Sequence, residues 1–265
     1  AYQLDQSTYT GVSDYIGNYE TAPTGLCFNP NGTEMFIIGS VGDDIHRWAL
    51  STAWDVSTAN EQGNSFYLGG TDNSPMGLSF NPDGSKFFVT GGQNDRIYQY
   101  TTYSAYDLYN PTLNGSFSVS SQANGPQGHA FNNDGTKMYV INASDRYIYE
   151  YDLSSGFDLT GTVTYNSVRF YVSNEDSTPR EMQFNADGTK FYLIGSSSDK
   201  VHQYSLTTAF SLSTASYDNI EFSVSSQENA PTSLFLKPDN TKFYIVGFTQ
   251  DQVYEYEMPI TDVLN

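Results

Sequence analysis

One segment recurs five times along the chain, and it constrains the architecture before any other feature is weighed. "PTGLCFNPNGTEMFIIG" returns as "PMGLSFNPDGSKFFVTG", "PQGHAFNNDGTKMYVIN", "PREMQFNADGTKFYLIG" and "PTSLFLKPDNTKFYIVG". The copies begin at Pro23, Pro75, Pro126, Pro179 and Pro231, spacings of 52, 51, 53 and 52 residues. A unit this long does not suit a helical solenoid, and each copy reads as four short strands rich in β-branched and aromatic residues between turn signals. In the second copy these are Gly77 to Asn81, the turn Asn81-Pro82-Asp83-Gly84, Lys86 to Gly91, a third strand of the type "RIYQYTT", and an outer strand such as "GSFSVSS". The turn has a mechanism: Pro presets φ, Asn and Asp bond locally, and Gly accepts positive φ. Four antiparallel strands per repeat make a propeller blade. The expected fold is therefore all-β, a five-bladed β-propeller forming a single domain over residues 1–265.

The ends of the sequence fit a closed ring. Residues 1–22 match the second half of a repeat, with Ala1-Tyr2-Gln3-Leu4 falling on Ala105-Tyr106-Asp107-Leu108, and the last copy stops after its third strand. The N-terminal strand is thus predicted to complete the last blade, leaving no wide unpaired edge.

The lines "DGTKMYVINASDRYIYEYD" (134–152) and "DGTKFYLIGSSSDKVHQYS" (187–205) resemble the repeats of the YVTN and lactonase-like propeller group. That group's unit runs Pro-x-Gly, Asp-Gly-(Thr/Ser)-Lys, an aromatic-Val pair, a polar loop and a Val- or Ile-led strand. The resemblance covers all five repeats and implies the blade; the group's rings are usually larger and its units shorter. Its motifs are structural, and no lactonase catalytic residue matches a position here.

Charge narrows the partners. With 11 Lys plus Arg against 30 Asp plus Glu, the net charge is −19, unsuited to neutralising phosphates, so nucleic acid and anionic membranes are poor partners. Cations, neutral polymers and basic partners fit better. A single cysteine, Cys27, allows neither an internal disulfide nor a Cys-based zinc site, and it sits in a repeated apolar strand. No run of 18 apolar residues and no basic-then-apolar leader is present, so the chain reads as soluble. No nucleophile elbow, phosphate loop or zinc signature occurs.

Two sets of loop carboxylates are expected around one channel mouth. Three residues before each repeat's Pro stand Glu20, Asp72, Ala123, Asp176 and Glu228, and in the loop between second and third strands stand Asp43, Asp95, Asp145, Asp199 and Asp251. The acidic members of the first set read either as loop structure or as ligand-binding groups. The second set reads as turn caps or as ligands for a hard cation such as Ca²⁺.

Departures from the repeat are the other signal, because equal copies can specialise only where they differ. His129 stands where the other inner strands carry Leu26, Leu78, Met182 and Leu234. Glu181 stands where they carry Gly25, Gly77, Gly128 and Ser233, beside Arg180 at a position otherwise Thr24, Met76, Gln127 and Thr232. Gln183 replaces small or apolar residues. These groups are predicted close together near the mouth, either as mutually satisfied buried polar residues or as a catalytic set in which His129 exchanges protons and Arg180 binds an anionic group. His46 and His202 align with Tyr98, Tyr149 and Tyr254 and read as packing. So do Trp54, Tyr106, Phe157 and Phe210, which recur at one spot after the third strand.

Near-equal repeats without a long insertion predict a lectin-like, carbohydrate-binding module working outside a cell or on a virion surface. The alternatives are a glycoside- or ester-acting hydrolase or lyase centred on His129, Arg180 and Glu181, and a structural or adhesive subunit. Repeated similar pockets would mark the lectin, and one deep asymmetric pocket would mark the enzyme.

Overall fold

A computed structural model describes residues 2–260; Ala1 and residues 261–265, included in the domain expected from sequence, lie outside the described residues. Five four-stranded antiparallel sheets follow one another. The first blade is β2 (Pro23–Phe28), β3 (Glu34–Gly39), β4 (Asp44–Leu50) and β5 (Ala59–Tyr67). The second is β6 (Pro75–Phe80), β7 (Lys86–Gly91), β8 (Arg96–Thr101) and β9 (Thr112–Ser118). The third is β10 (Pro126–Phe131), β11 (Lys137–Asn142), β12 (Tyr147–Leu153) and β13 (Val163–Tyr171). The fourth is β14 (Pro179–Phe184), β15 (Lys190–Gly195), β16 (Lys200–Leu206) and β17 (Ala215–Ser223). The fifth is β18 (Pro231–Leu236), β19 (Lys242–Gly247) and β20 (Gln252–Glu257), completed by β1 (Thr8–Tyr15). The expected five-bladed propeller is what the chain forms, and every repeat's Pro opens an inner strand.

The apolar runs of the second strands follow from burial on both faces. In β3, Met35 and Ile37 enter the core shared with the fifth blade, while Phe36 and Ile38 enter the core shared with the second. Successive side chains on a strand point to opposite faces, so each face serves a different neighbour. The core is accordingly five radial interfaces, one between each pair of adjacent blades. A cross-strand aromatic pair recurs within them: Phe87 with Tyr100, Phe191 with Tyr204 and Phe243 with Tyr256 are stacked with centroids 4.8, 4.4 and 4.7 Å apart. Such pairs add about 0.5–1.5 kcal/mol each beyond area burial. Outer strands such as β17 alternate between half-buried and exposed residues, as one-sided packing requires.

The hairpin turn shows why the repeat keeps its glycine. Asp83 Oδ1 accepts the Ser85 N–H and Asn81 Oδ1 accepts the Lys86 N–H, while Gly84 has φ +70°. A side chain on Gly84 would also strike the Tyr106 ring, which lies against it. Trp54, Phe157 and Phe210 cover the corresponding glycines Gly32, Gly135 and Gly188, so the recurrent aromatics are packing residues, as their recurrence predicts.

β1 pairs antiparallel with β20 from Thr8 opposite Glu257 to Tyr15 opposite Gln252, with an irregularity between Tyr9 and Ser13. Tyr9 packs on Tyr254 and Tyr256 at 5.9 and 5.6 Å. The ring is closed without a covalent link.

Candidate functional site

The two loop sets turn out to be built into the fold. Glu20, Asp72, Asp176 and Glu228 are all buried. Each accepts backbone N–H groups from the two loops it joins: Asp176 takes Thr178 N at 2.7 Å and Ser198 N at 3.0 Å, and Glu228 takes Ala230, Thr249 and Gln250 N–H at 2.9–3.1 Å. Glu20 and Asp72 do the same with Ala22 and Gly42, and with Ser74, Gln93 and Asn94. A Cβ at Gly39, Gly91, Gly195 or Gly247 would collide with the carboxylate of its own blade, so acid and glycine form one device. Blade three proves the pairing by its exception: Ala123 brings no carboxylate, and Asn142 occupies the glycine position, its Nδ2 donating to Asp145 at 2.8 Å. These carboxylates clamp loops. The sequence offers loop structure and ligand binding for them, and their acceptor oxygens are taken up by backbone donors.

The second set is likewise explained by backbone. Asp43, Asp95, Asp199 and Asp251 lie at φ of 49–53°, the left-handed region that Asp tolerates better than most residues. In blade three Arg146 takes that conformation and Asp145 caps Tyr147 N instead. Burial, with Asp72 beside Asp95 and Glu228 beside Asp251, raises the Asp95 and Asp251 carboxyls above their ordinary value. Among the described residues, no three His, Cys, Asp or Glu side chains come together as metal ligands. The proposed Ca²⁺ ligands are therefore turn residues placed one per blade, not a gathered oxygen set.

The open cavity is at the opposite end of the channel. It measures about 520 Å³ and its mouth is rimmed by the hairpin turns, including Pro30, Pro82, Asn133, Ala186 and Pro238. Phe28, Phe80, Phe131, Phe184 and Phe235 form its walls, with His129, Glu181 and Gln183 among them. At the loop end, Thr24, Met76, Gln127, Arg180, Thr232 and Phe248 close the channel around a gap of about 10 Å³. Arg180 and Glu181 are neighbours in sequence, yet the first lines the closed end and the second the cavity. The predicted trio is thus split.

Arg180 belongs to the seal. Its Nη1 donates to Gln127 Oε1 and its Nε to Ser196 Oγ at 3.1 Å, and its guanidinium lies 5.8 Å from the Phe248 ring. Glu181 occupies the axis in space left by the small residues at its level. A Cβ at Gly128 would sit 2.7 Å from Glu181 Oε1. Burial pushes this carboxyl up to about 8, opposed by the Met182 N–H that Oε1 accepts at 2.9 Å, so the group is protonated at neutral pH. Gln183 Oε1 accepts the Leu236 N–H at 2.6 Å, which fixes the orientation of its amide.

His129 is buried, and both ring nitrogens are engaged: Nε2 with Ser79 Oγ and Nδ1 with Thr90 Oγ1, each at 2.7 Å. Burial lowers its pKa to about 3, so the ring is neutral. Its partners come from the second blade and were not singled out by sequence. Thr90 breaks the series Ile38, Ile141, Ile194 and Val246, a visible departure; Ser79 falls in a series with no common residue, Cys27, Ala130, Gln183 and Phe235.

This is a β-propeller with a blind axial cavity, and comparison with known proteins agrees on the fold. No protein-family profile and no curated protein matches the sequence. Solved structures do. A Bacteroides uniformis protein provisionally described as a 6-phosphogluconolactonase superposes with TM-score 0.52 at 15% identity, over 85% of this chain and 64% of that one. A Bacteroides fragilis protein of the same provisional description gives 0.51 at 13%, over 92% and 73%. The Cps50 (Swd1) propeller domain of Myceliophteria thermophila gives 0.52 at 9%, over 89% and 84%. The chain spans less than two thirds of the first of these. The lactonase-like resemblance of the repeats is thus met in structure, as a resemblance of fold, and a fold shared by such different proteins does not select an activity. Among the described residues, no helix is long and apolar enough to cross a membrane.

Proposed function

We propose that the protein binds one small neutral ligand per ring, in the axial cavity entered from the hairpin-turn face, and that the ligand is a carbohydrate or a carbohydrate-derived molecule met outside a cell or on a virion surface. The observation that carries this reading is the pairing of aromatic walls with a few oriented polar groups in one blind cavity. A volume of about 520 Å³ lies in the range of small-molecule sites, roughly 300–1,000 Å³. Phenylalanine faces suit the apolar side of a sugar ring, and Gln183, Ser79 and the protonated Glu181 offer hydrogen bonds to its hydroxyls. Neutrality follows from the lining: Glu181 and His129 are both uncharged, and Lys237 at the rim is paired with Asp239 at 2.7 Å.

A single asymmetric cavity also favours the enzyme reading over a multivalent lectin, whose pockets would repeat with the blades. Titration calorimetry against a panel of neutral mono- and disaccharides tests the proposal. The expected result is one site per chain, abolished by Ala186→Trp, which narrows the mouth at an exposed rim residue. Binding to several equivalent sites, binding untouched by Ala186→Trp, or no binding across the panel would refute it.

A further inference from the structure

Two departures from the repeat and one variable position meet at one point between the second and third blades. His129 replaces Leu or Met, Thr90 replaces Ile or Val, and Ser79 stands at a position that varies from copy to copy. Together they form a chain of two hydrogen bonds, Thr90 Oγ1 to His129 Nδ1 and His129 Nε2 to Ser79 Oγ, each 2.7 Å. The chain has a direction. Thr90 and His129 are buried, whereas Ser79 is half-buried and lines the cavity. A mutually satisfied core cluster would gain nothing from ending at an open wall. A serine on an imidazole, with the other ring nitrogen held by a third group, is the arrangement that makes a hydroxyl nucleophilic.

We propose that Ser79 is a nucleophile activated by His129, with Thr90 orienting the ring, and that the cavity turns over neutral carboxylic esters. In the tautomer with its proton on Nδ1, His129 donates to Thr90 and accepts from Ser79. Ser79 Oγ attacks the ester carbonyl carbon as its proton passes to His129 Nε2. The ester C–O bond then breaks and the departing alkoxide takes that proton, leaving an acyl-Ser79. Water attacks the acyl carbon, gives its proton to His129, and the carboxylic acid leaves as Ser79 Oγ is reprotonated. Gln183 also lines the cavity, and with its Oε1 held by Leu236 N its Nε2 can donate to a carbonyl oxygen bound there. The phenylalanine walls suit an apolar acyl or aryl group. Burial keeps His129 an available acceptor down to about pH 3 but also makes it a weak base, so acylation is slow and covalent capture is the better readout than turnover.

The inference uses the cavity of the binding reading but not its ligand class. The test is incubation with an uncharged alkyl fluorophosphonate, followed by intact mass and peptide mapping, beside release of p-nitrophenolate from p-nitrophenyl butyrate. One adduct per chain on Ser79 is expected, with a burst approaching one equivalent. Ser79→Ala should lose both, and Thr90→Val should slow labelling at least tenfold. Each change installs a residue that another blade already carries at that position, Ala130 and Val246, so folding is retained and thermal melts check it. Mapping of the adduct in the unmodified protein depends on no variant. An adduct elsewhere, no adduct, or equal labelling of folded Thr90→Val would overturn the proposal. Saccharide binding by the unmodified protein with no adduct on it would sink the nucleophile alone and leave the binding site standing.

Discussion

The two ends of the channel are made from the same five inner strands and do opposite things. At the loop end the strands are used for closure: Thr24 donates to Pro75 O and Thr232 to Pro23 O, each at 2.8 Å, tying a blade to its neighbour, while buried carboxylates hold the loops above in four of the blades. At the turn end the ring of phenylalanines keeps the channel wide, and the polar groups facing it differ from blade to blade. Polar residues that recur in this fold carry structure, and those that break the series either tighten the seal, as Arg180 does, or line the cavity, as His129 and Glu181 do. The physical reason is the cost of an unpaired buried polar group, which regular closure removes in every blade and which one specialised wall resolves locally.

The comparison can be broken hardest at a clamp. Asp176→Ala should leave the Thr178 and Ser198 N–H groups and two serine hydroxyls without their acceptor, costing about 3–5 kcal/mol in denaturant unfolding while the remaining folded protein binds at the turn end as before. A stable variant would mean that the loops need no clamp.

Glu181→Gln should act next most strongly, and with pH. Its carboxyl titrates near 8 in the folded chain against an ordinary 4.5, so between those values the native state holds a proton that the unfolded state has released. Stability therefore falls as pH rises from about 4.5 to about 8 and is level beyond. Glutamine removes that slope and should add roughly 2–4 kcal/mol at pH 9 with little gain at pH 4. Parallel melting curves of the two proteins across this range would contradict the assignment of Glu181 as a buried neutral acid.

The smallest effect is expected at Arg180. Arg180→Met removes bonds to Gln127 and Ser196 from a half-buried side chain, a loss of about 1 kcal/mol, and should leave ligand affinity at the far mouth within twofold. A faster on-rate in stopped-flow binding would show that the loop end is a second entrance.

The blades and their seam were legible in sequence because a period of about 52 residues and a half-repeat at the start fix both. Which end of the channel opens was not. Recurrent Glu and Asp suggested a charged mouth, but side-chain type does not say whether a carboxylate meets solvent or backbone N–H. The joint exception of Ala123 and Asn142 was the one sequence clue that acid and glycine belong together. His129 was legible as a departure, and Glu181 with it. Ser79 and Thr90 were obscured because hydroxyl residues are ordinary in strands and their partner lies in the next copy. Arg180 falls at the sealed end although its neighbour Glu181 lines the cavity, a division that residue type alone does not show.

The pairing of β1 with β20 has a consequence for how the molecule is made. Thr8–Tyr15 emerges from the ribosome long before Gln252–Glu257 exists to receive it, so the fifth blade is the last to assemble and the channel has no complete wall until then. In that interval β1 presents an unpaired strand edge, and β20 presents its own until the two pair. At high concentration the β1 of one copy would dock on the β20 of another, and rings linked head to tail would form from the same hydrogen bonds that otherwise close each one.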